Sequence, residues 1–204
     1  MLEIDKGFIS RTLKILLFSL SIMILTIAIT YSININMKEV IKSIDNGIPG
    51  SVKESSGLGS VFKYIVNNGL VVPLQMFILS LIPIQFLYLF NLIYSSILPG
   101  IVIGIAIKID IYKATSIILS IIPHTLLEIL GFCIFASVLF QLKKSIRSKI
   151  KEVFKKNSSE RISVVKSLSN TVKIYIFAVV PVITLAAFCE EYLREFLYSL
   201  LTST

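Results

Sequence analysis

The residues whose types and spacing suit chemistry are His124, Glu128, Glu190 and Glu191, and all four interrupt runs that are otherwise apolar. His124 is the only histidine of the chain. It stands in the stretch Ile121–Ile134, IIPHTLLEILGFCI, directly after Pro123 and four residues before Glu128. On a helix that spacing puts both side chains on one face, one turn apart. Ionisable groups inside a bilayer are costly and rare unless they face other helices, water or a ligand, so two on one stripe make a candidate site. A catalytic zinc needs three protein ligands and an open position. His124, Glu128 and Glu190 would be the ligands, with Glu191 or a metal-bound water as the base. A transport role would instead use the same groups to carry protons or ions. A structural role would pair His124 and Glu128 with each other or with an amide such as Asn91, and Glu190 with Arg194 at i,i+4. One histidine excludes HExxH and every site built on two or three histidines, so the reading adopted is structural, with no cofactor and zinc as the alternative.

The elements that would position these residues are membrane spans. The chain has 204 residues, 55% hydrophobic and only 16% charged, with a mean hydropathy of +0.86. Soluble domains carry about 25% charged residues, and the deficit here is gathered into runs long enough to cross a bilayer. Residues 64–107 hold no charge at all. As one helix these 44 residues would reach about 66 Å, twice a ~30 Å hydrocarbon core, so the run must fold back, and Ile82-Pro83-Ile84-Gln85 is where it turns. The sequence therefore predicts an all-α, multi-pass bundle of about five transmembrane helices forming one integral-membrane domain over 1–204. The spans are expected at about 13–35, 61–81, 86–107, 114–142 and 174–201. Asn67, Asn68 and Asn91 are expected to hydrogen-bond between helices. Pro99-Gly100, with Gly104 one turn on, marks close helix contact. Lys108–Lys113, KIDIYK, reads as a six-residue polar link, and Met37–Ile44 as a short amphipathic helix in an outer loop.

The formal net charge of +8 is not a nucleic-acid footprint, because of where the charge lies. From Lys143 to Lys173 there are ten Lys or Arg against two acidic residues, between two apolar spans. This is the pattern of a cytoplasmic loop under the positive-inside rule, with anionic lipid headgroups as its partner at 143–173 and no nucleic acid. The N-terminus is then cytoplasmic. Counted from Lys113, His124 lies about 16 Å below the outer edge, whereas Glu190, about 25 Å above Lys173, lies near the outer surface, a difference that argues against a shared metal. His124, Glu128 and Glu190 are nonetheless expected to converge in the bundle interior, with Asn91 as their amide neighbour, because buried ionisable groups find each other rather than lipid. Cys133 and Cys189 both fall in apolar spans, too few for a disulfide framework, and Cys133 stands on the opposite side of its helix from His124. There is no Gly-rich phosphate loop and no G-x-S-x-G elbow.

Four stretches, in order, resemble the stage II sporulation protein M family of multi-pass membrane proteins. NNGLVVPLQMF (Asn67–Phe77) resembles its Asn-led second span, and LYLFNLIYSSILPG (Leu87–Gly100) its Leu-rich segment with an Asn and a downstream Gly. IIPHTLLEILGF (Ile121–Phe132) resembles its Leu-Pro-His-Gly-x-x-Glu box at Pro123, His124 and Glu128. LAAFCEEYL (Leu185–Leu193) resembles the close of its last span at Ala186, Ala187 and Glu190. The chain departs from the family at Thr125, where Gly is usual, after Asn91, where a Gly is missing, and in the doubled Glu190-Glu191. The resemblance implies a bacterial cytoplasmic membrane, and the richness in Ile, Lys and Ser suits a Gram-positive source. It also implies a non-catalytic scaffold or biogenesis partner. One branch of the family works in envelope remodelling. Another accompanies circular bacteriocins in their maturation, export or self-immunity, beside an ABC-type exporter, so an exporter or a second copy of the chain is the expected partner. The alternatives are an intramembrane metallopeptidase or peptide-maturation enzyme using His124, Glu128 and Glu190, and a proton- or ion-coupled transporter.

Overall fold

Hydrocarbon offers the backbone no hydrogen-bond partner, so apolar runs of this length close their own ladders as helices. In the computed structural model, which describes residues 5–33, 57–154 and 164–202, five helices are long and apolar enough to cross a membrane, and no strand occurs among the described residues. They are α1 (Phe8–Ser32), α2 (Leu58–Leu81), α3 (Leu87–Ile109), α4 (Ile111–Phe154) and α5, which runs Val164–Leu193 and continues as Arg194–Thr202. Successive helices run in opposite directions. The start of α1, the α2–α3 turn, the end of α4 and the start of α5 therefore share one end of the bundle, here the basic end.

α4 is the axis of the bundle, in contact with all four other helices. Ala136, Ser137, Val138 and Leu139 are consecutive and all buried, so they point in several directions, as a helix surrounded by others requires. Gly131 lets α5 approach: a Cβ there would lie 2.8 Å from Ile183 Cδ1. Between α1 and α3 the close contact predicted from Gly100 and Gly104 is present. A Cβ on Gly100 would meet the Met23 carbonyl at 2.8 Å, and one on Gly104 would meet Thr30 Cβ at 2.7 Å. Ser96, one turn before Gly100, is fully buried and extends this small-residue stripe.

The charge-free run folds back where Pro83 predicts. Ile82 leaves α2 in an extended conformation, and Phe86 enters α3 through the left-handed region at φ 63°. Lys143 Nζ donates to the Ile82 carbonyl at 2.9 Å and also to that of Ile84, supplying partners to acceptors that a helix end leaves bare. At the same end, Arg11 grips Asp5 with two bonds of 2.9 Å, and its guanidinium holds the Asp5 carboxyl below the usual carboxylate range.

Helix ends differ from the sequence expectation in two places. The six-residue link at Lys108–Lys113 shrinks to Asp110, because its side chain accepts the Tyr112 N–H at 2.9 Å and so starts α4 at once. The expected basic loop is helical in its first part, since α4 continues past Leu142 to Phe154, and α5 already begins at Val164. The Met37–Ile44 helix lies outside the described residues.

Two helices widen locally into π-helical turns just ahead of a proline: Ile65–Val71 before Pro73 in α2, and Tyr175–Val179 before Pro181 in α5. Pro73 has no N–H to return to the Gly69 carbonyl. The Tyr175 hydroxyl donates to that carbonyl instead, tying the two irregular turns together.

Candidate functional site

The site is a polar cluster in which α2, α4 and α5 meet. α4 presents His124 and Glu128 on one face, as their spacing requires. α5 brings Glu190 on a third π-helical turn, Cys189–Leu193, which inserts an extra residue into the turn and re-aims the side chains that follow. His124 Nε2 lies 2.6 Å from Glu190 Oε2, and Arg194 Nη1 donates to Glu190 Oε1 at 2.6 Å. Glu190 thus accepts from Arg194 on one oxygen and lies against the His124 imidazole of the facing helix with the other, Oε2, which is buried and has no further partner among the described residues. The His124 side chain is only 11% exposed and Glu190 24%, while Arg194, at 44%, reaches toward the surface.

Glu128, one turn further along α4, accepts a hydrogen bond from the Tyr64 hydroxyl of α2. Asn68, on the next turn of α2, is within hydrogen-bonding reach of that hydroxyl. Asn67 in turn donates to Asn68 at 2.7 Å. Glu191 turns away from His124 and accepts the backbone N–H of Gly57, where its charge complements the positive end of α2. Pairing of this kind offsets the high cost of burying an isolated charge in a bilayer.

His124 and Glu190 therefore come together, with Glu128 beside them. Glu190 lies 12 residues before the end of α5 and His124 13 residues after the start of α4, about 18 and 20 Å from the same end of the bundle. The depth difference counted from Lys113 and Lys173 is absent, because α5 begins at Val164 and Lys173 does not mark the end of its helix. Asn91, expected beside His124, is elsewhere: its Nδ2 donates to Gln75 Oε1 at 3.0 Å and to the Val72 carbonyl at 3.4 Å, linking α3 to α2 near the basic end. Cys133 packs against Ser19 of α1, with Sγ and Oγ 4.0 Å apart. Tyr64 and Gly57 are the members that sequence reasoning missed. The signal available was the i,i+4 spacing of Tyr64 and Asn68 on one face of α2.

The direct 2.6 Å contact of His124 with Glu190 leaves no room for a metal between those two atoms, and no group of three His, Cys, Asp or Glu is placed to hold one among the described residues. What the arrangement does is set imidazole against carboxylate between α4 and α5 and tie Glu128 of α4 to Tyr64 of α2, so that three helices are linked. His124 Nδ1 is buried without a partner among the described residues.

The family model of stage II sporulation protein M matches residues 14–193, from the first turns of α1 to the last π-helical turn of α5. The chain belongs to this family. No curated protein and no solved structure matches it. The stage II sporulation protein M match contains every member of the polar cluster except Arg194, one residue beyond its end. Thr125 is buried, and Asn91 spends its amide on α2.

Proposed function

We propose that this member of the family is a non-catalytic scaffold or biogenesis partner in a bacterial cytoplasmic membrane. It serves the maturation, export or self-immunity of a bacteriocin-like peptide, or envelope remodelling. The observation that supports this reading is the pairing within the cluster. Glu190 lies 2.6 Å from His124 and accepts from Arg194, and Glu128 accepts from Tyr64, so the groups best suited to catalysis link helices to one another. A catalytic acid or base needs a free reach toward substrate. A metallopeptidase reading would require His124 and Glu190 to separate and re-form around a cation.

The test is the relation between abundance and activity. In cells that depend on the chain for peptide export or immunity, variants at His124, Glu128 and Glu190 are compared for membrane abundance and for the phenotype. A scaffold loses function in proportion to lost protein. A variant that accumulates at the native level yet is inactive would overturn the reading.

A further inference from the structure

At the basic end, on the far side of the bundle from the polar cluster, a cavity of about 570 Å³ opens between the α2–α3 turn and the last membrane-embedded turns of α4. Its floor is apolar and aromatic, with Tyr88, Phe140 and Ile146, and its rim carries Lys143, Lys144 and Arg147. Among the described residues no acidic side chain lines it. Lys143 is already committed: it donates to the Ile82 and Ile84 carbonyls, and its ammonium lies 5.7 Å from the centre of the Tyr88 ring. It therefore neutralises the negative end of α2. Lys144 and Arg147 are left exposed at the mouth, and no carboxylate among the described residues pairs with either.

We infer that this cavity is a binding site for the headgroup of an anionic glycerophospholipid. Three features select that ligand over a small soluble anion. The site lies where the 24-residue span α2 ends and the first charges of α4 begin, the level at which lipid phosphates sit. Its floor is apolar, which suits a glycerol backbone and the first methylenes of acyl chains and gives nothing to inorganic phosphate. And Phe86 is shared between this cavity and a neighbouring open groove of about 400 Å³, lined by Ile15, Phe18, Leu89 and Ile93, with Lys14 beside it. The groove continues the cavity along α1 and α3 in the direction an acyl chain would take. Arg147 supplies planar, paired donors to the phosphate and Lys144 a point charge.

The full chain, purified in detergent, is incubated with equal amounts of phosphatidylglycerol and phosphatidylcholine bearing the same acyl chains, and bound lipid is read by native mass spectrometry. The expected result is a preference for phosphatidylglycerol of about tenfold or more. It should be lost in the Lys144→Gln/Arg147→Gln double variant and kept in Lys63→Gln, which removes a charge at the opposite end. An equal loss in Lys63→Gln would show general charge attraction and overturn the site. So would full displacement of the lipid by millimolar inorganic phosphate, which would make the cavity a free-anion site. Where the double variant does not accumulate, the unaltered chain decides: a phosphatidylglycerol with a photoreactive headgroup should attach within residues 80–88 and 140–150, and attachment elsewhere refutes the assignment.

Discussion

His124 on α4 and Glu190 on α5 touch at 2.6 Å although 66 residues and one reversal of the chain separate them: one helix leaves the shared end, the other approaches it. The contact fixes the relative height of the two helices, because a slip of one turn on either would strand a buried imidazole or a buried carboxylate.

The first prediction follows from that contact. His124→Ala should destabilise the bundle by about 1–3 kcal/mol, because Glu190 Oε2 loses its partner in a low-dielectric setting. In a double-mutant cycle with Glu190→Gln, measured by steric-trap unfolding in bicelles, the coupling should be about 0.6–2 kcal/mol. Additive losses would mean that the two side chains do not interact.

The glycine stripe gives a second prediction. Gly104→Ala places a methyl 2.7 Å from Thr30 Cβ and 3.0 Å from the Ile27 carbonyl, so α1 and α3 must separate. The cost should be about 1–3 kcal/mol in the same unfolding assay. Gly59→Ala, where nothing lies within 4 Å, should be neutral or slightly stabilising. Equal effects at the two sites would show that helix propensity, not packing, governs the response.

Helix number, the fold-back at Pro83 and the stripe of Gly100 and Gly104 were legible in the sequence because each rests on a local rule: run length against bilayer thickness, a missing N–H, a missing side chain. The i,i+4 relation of His124 and Glu128 was legible for the same reason. That Glu190 would meet them follows from the cost of leaving a carboxylate in lipid; the other residues that face them were not legible. In lipid an apolar span has no wet side, so hydrophobic pattern does not fix the rotation of α2 or α3 about its own axis. Tyr64 therefore passed as an ordinary aromatic, and Asn91 was assigned to the wrong neighbours. The depth of Glu190 was misjudged because charged residues were taken as span ends, whereas α4 and α5 carry theirs on helix that continues.

Pro73 and Tyr175 should prove coupled. Tyr175→Phe removes the donor to the Gly69 carbonyl and should cost about 1 kcal/mol. In a Pro73→Ala background the restored N–H can serve that carbonyl, and the same substitution should cost little. A full penalty in both backgrounds would show that the hydroxyl matters for another reason.

Orientation is predicted from charge alone: the basic end should face the cytoplasm. In a background lacking Cys133 and Cys189, Tyr112→Cys, at an exposed position beside the α3–α4 junction, should react with an impermeant thiol reagent in intact cells. Ile150→Cys, on the exposed end of α4, should be protected until the membrane is opened. The reverse pattern would invert the topology and move the lipid site to the outer leaflet.

The last prediction separates scaffold from enzyme at Glu128. Glu128→Gln keeps the side chain's shape and leaves the Tyr64 hydroxyl an amide oxygen to bond, while removing the charge that a dication would need. A structural role predicts that this variant accumulates and functions like the parent. It also predicts that protein purified without added metal contains far less than one zinc per chain. Tyr64→Phe should then be the more damaging change at this contact, since it leaves the Glu128 carboxyl without its donor in the bundle interior. A metal role predicts the opposite ranking. Zinc should be near-stoichiometric, it should be lost in His124→Ala, and Glu128→Gln should be inactive at full abundance. Elemental analysis of the parent chain together with activity of Glu128→Gln decides between the two, because no structural role for Glu128 yields both bound zinc and an inactive, well-folded amide variant.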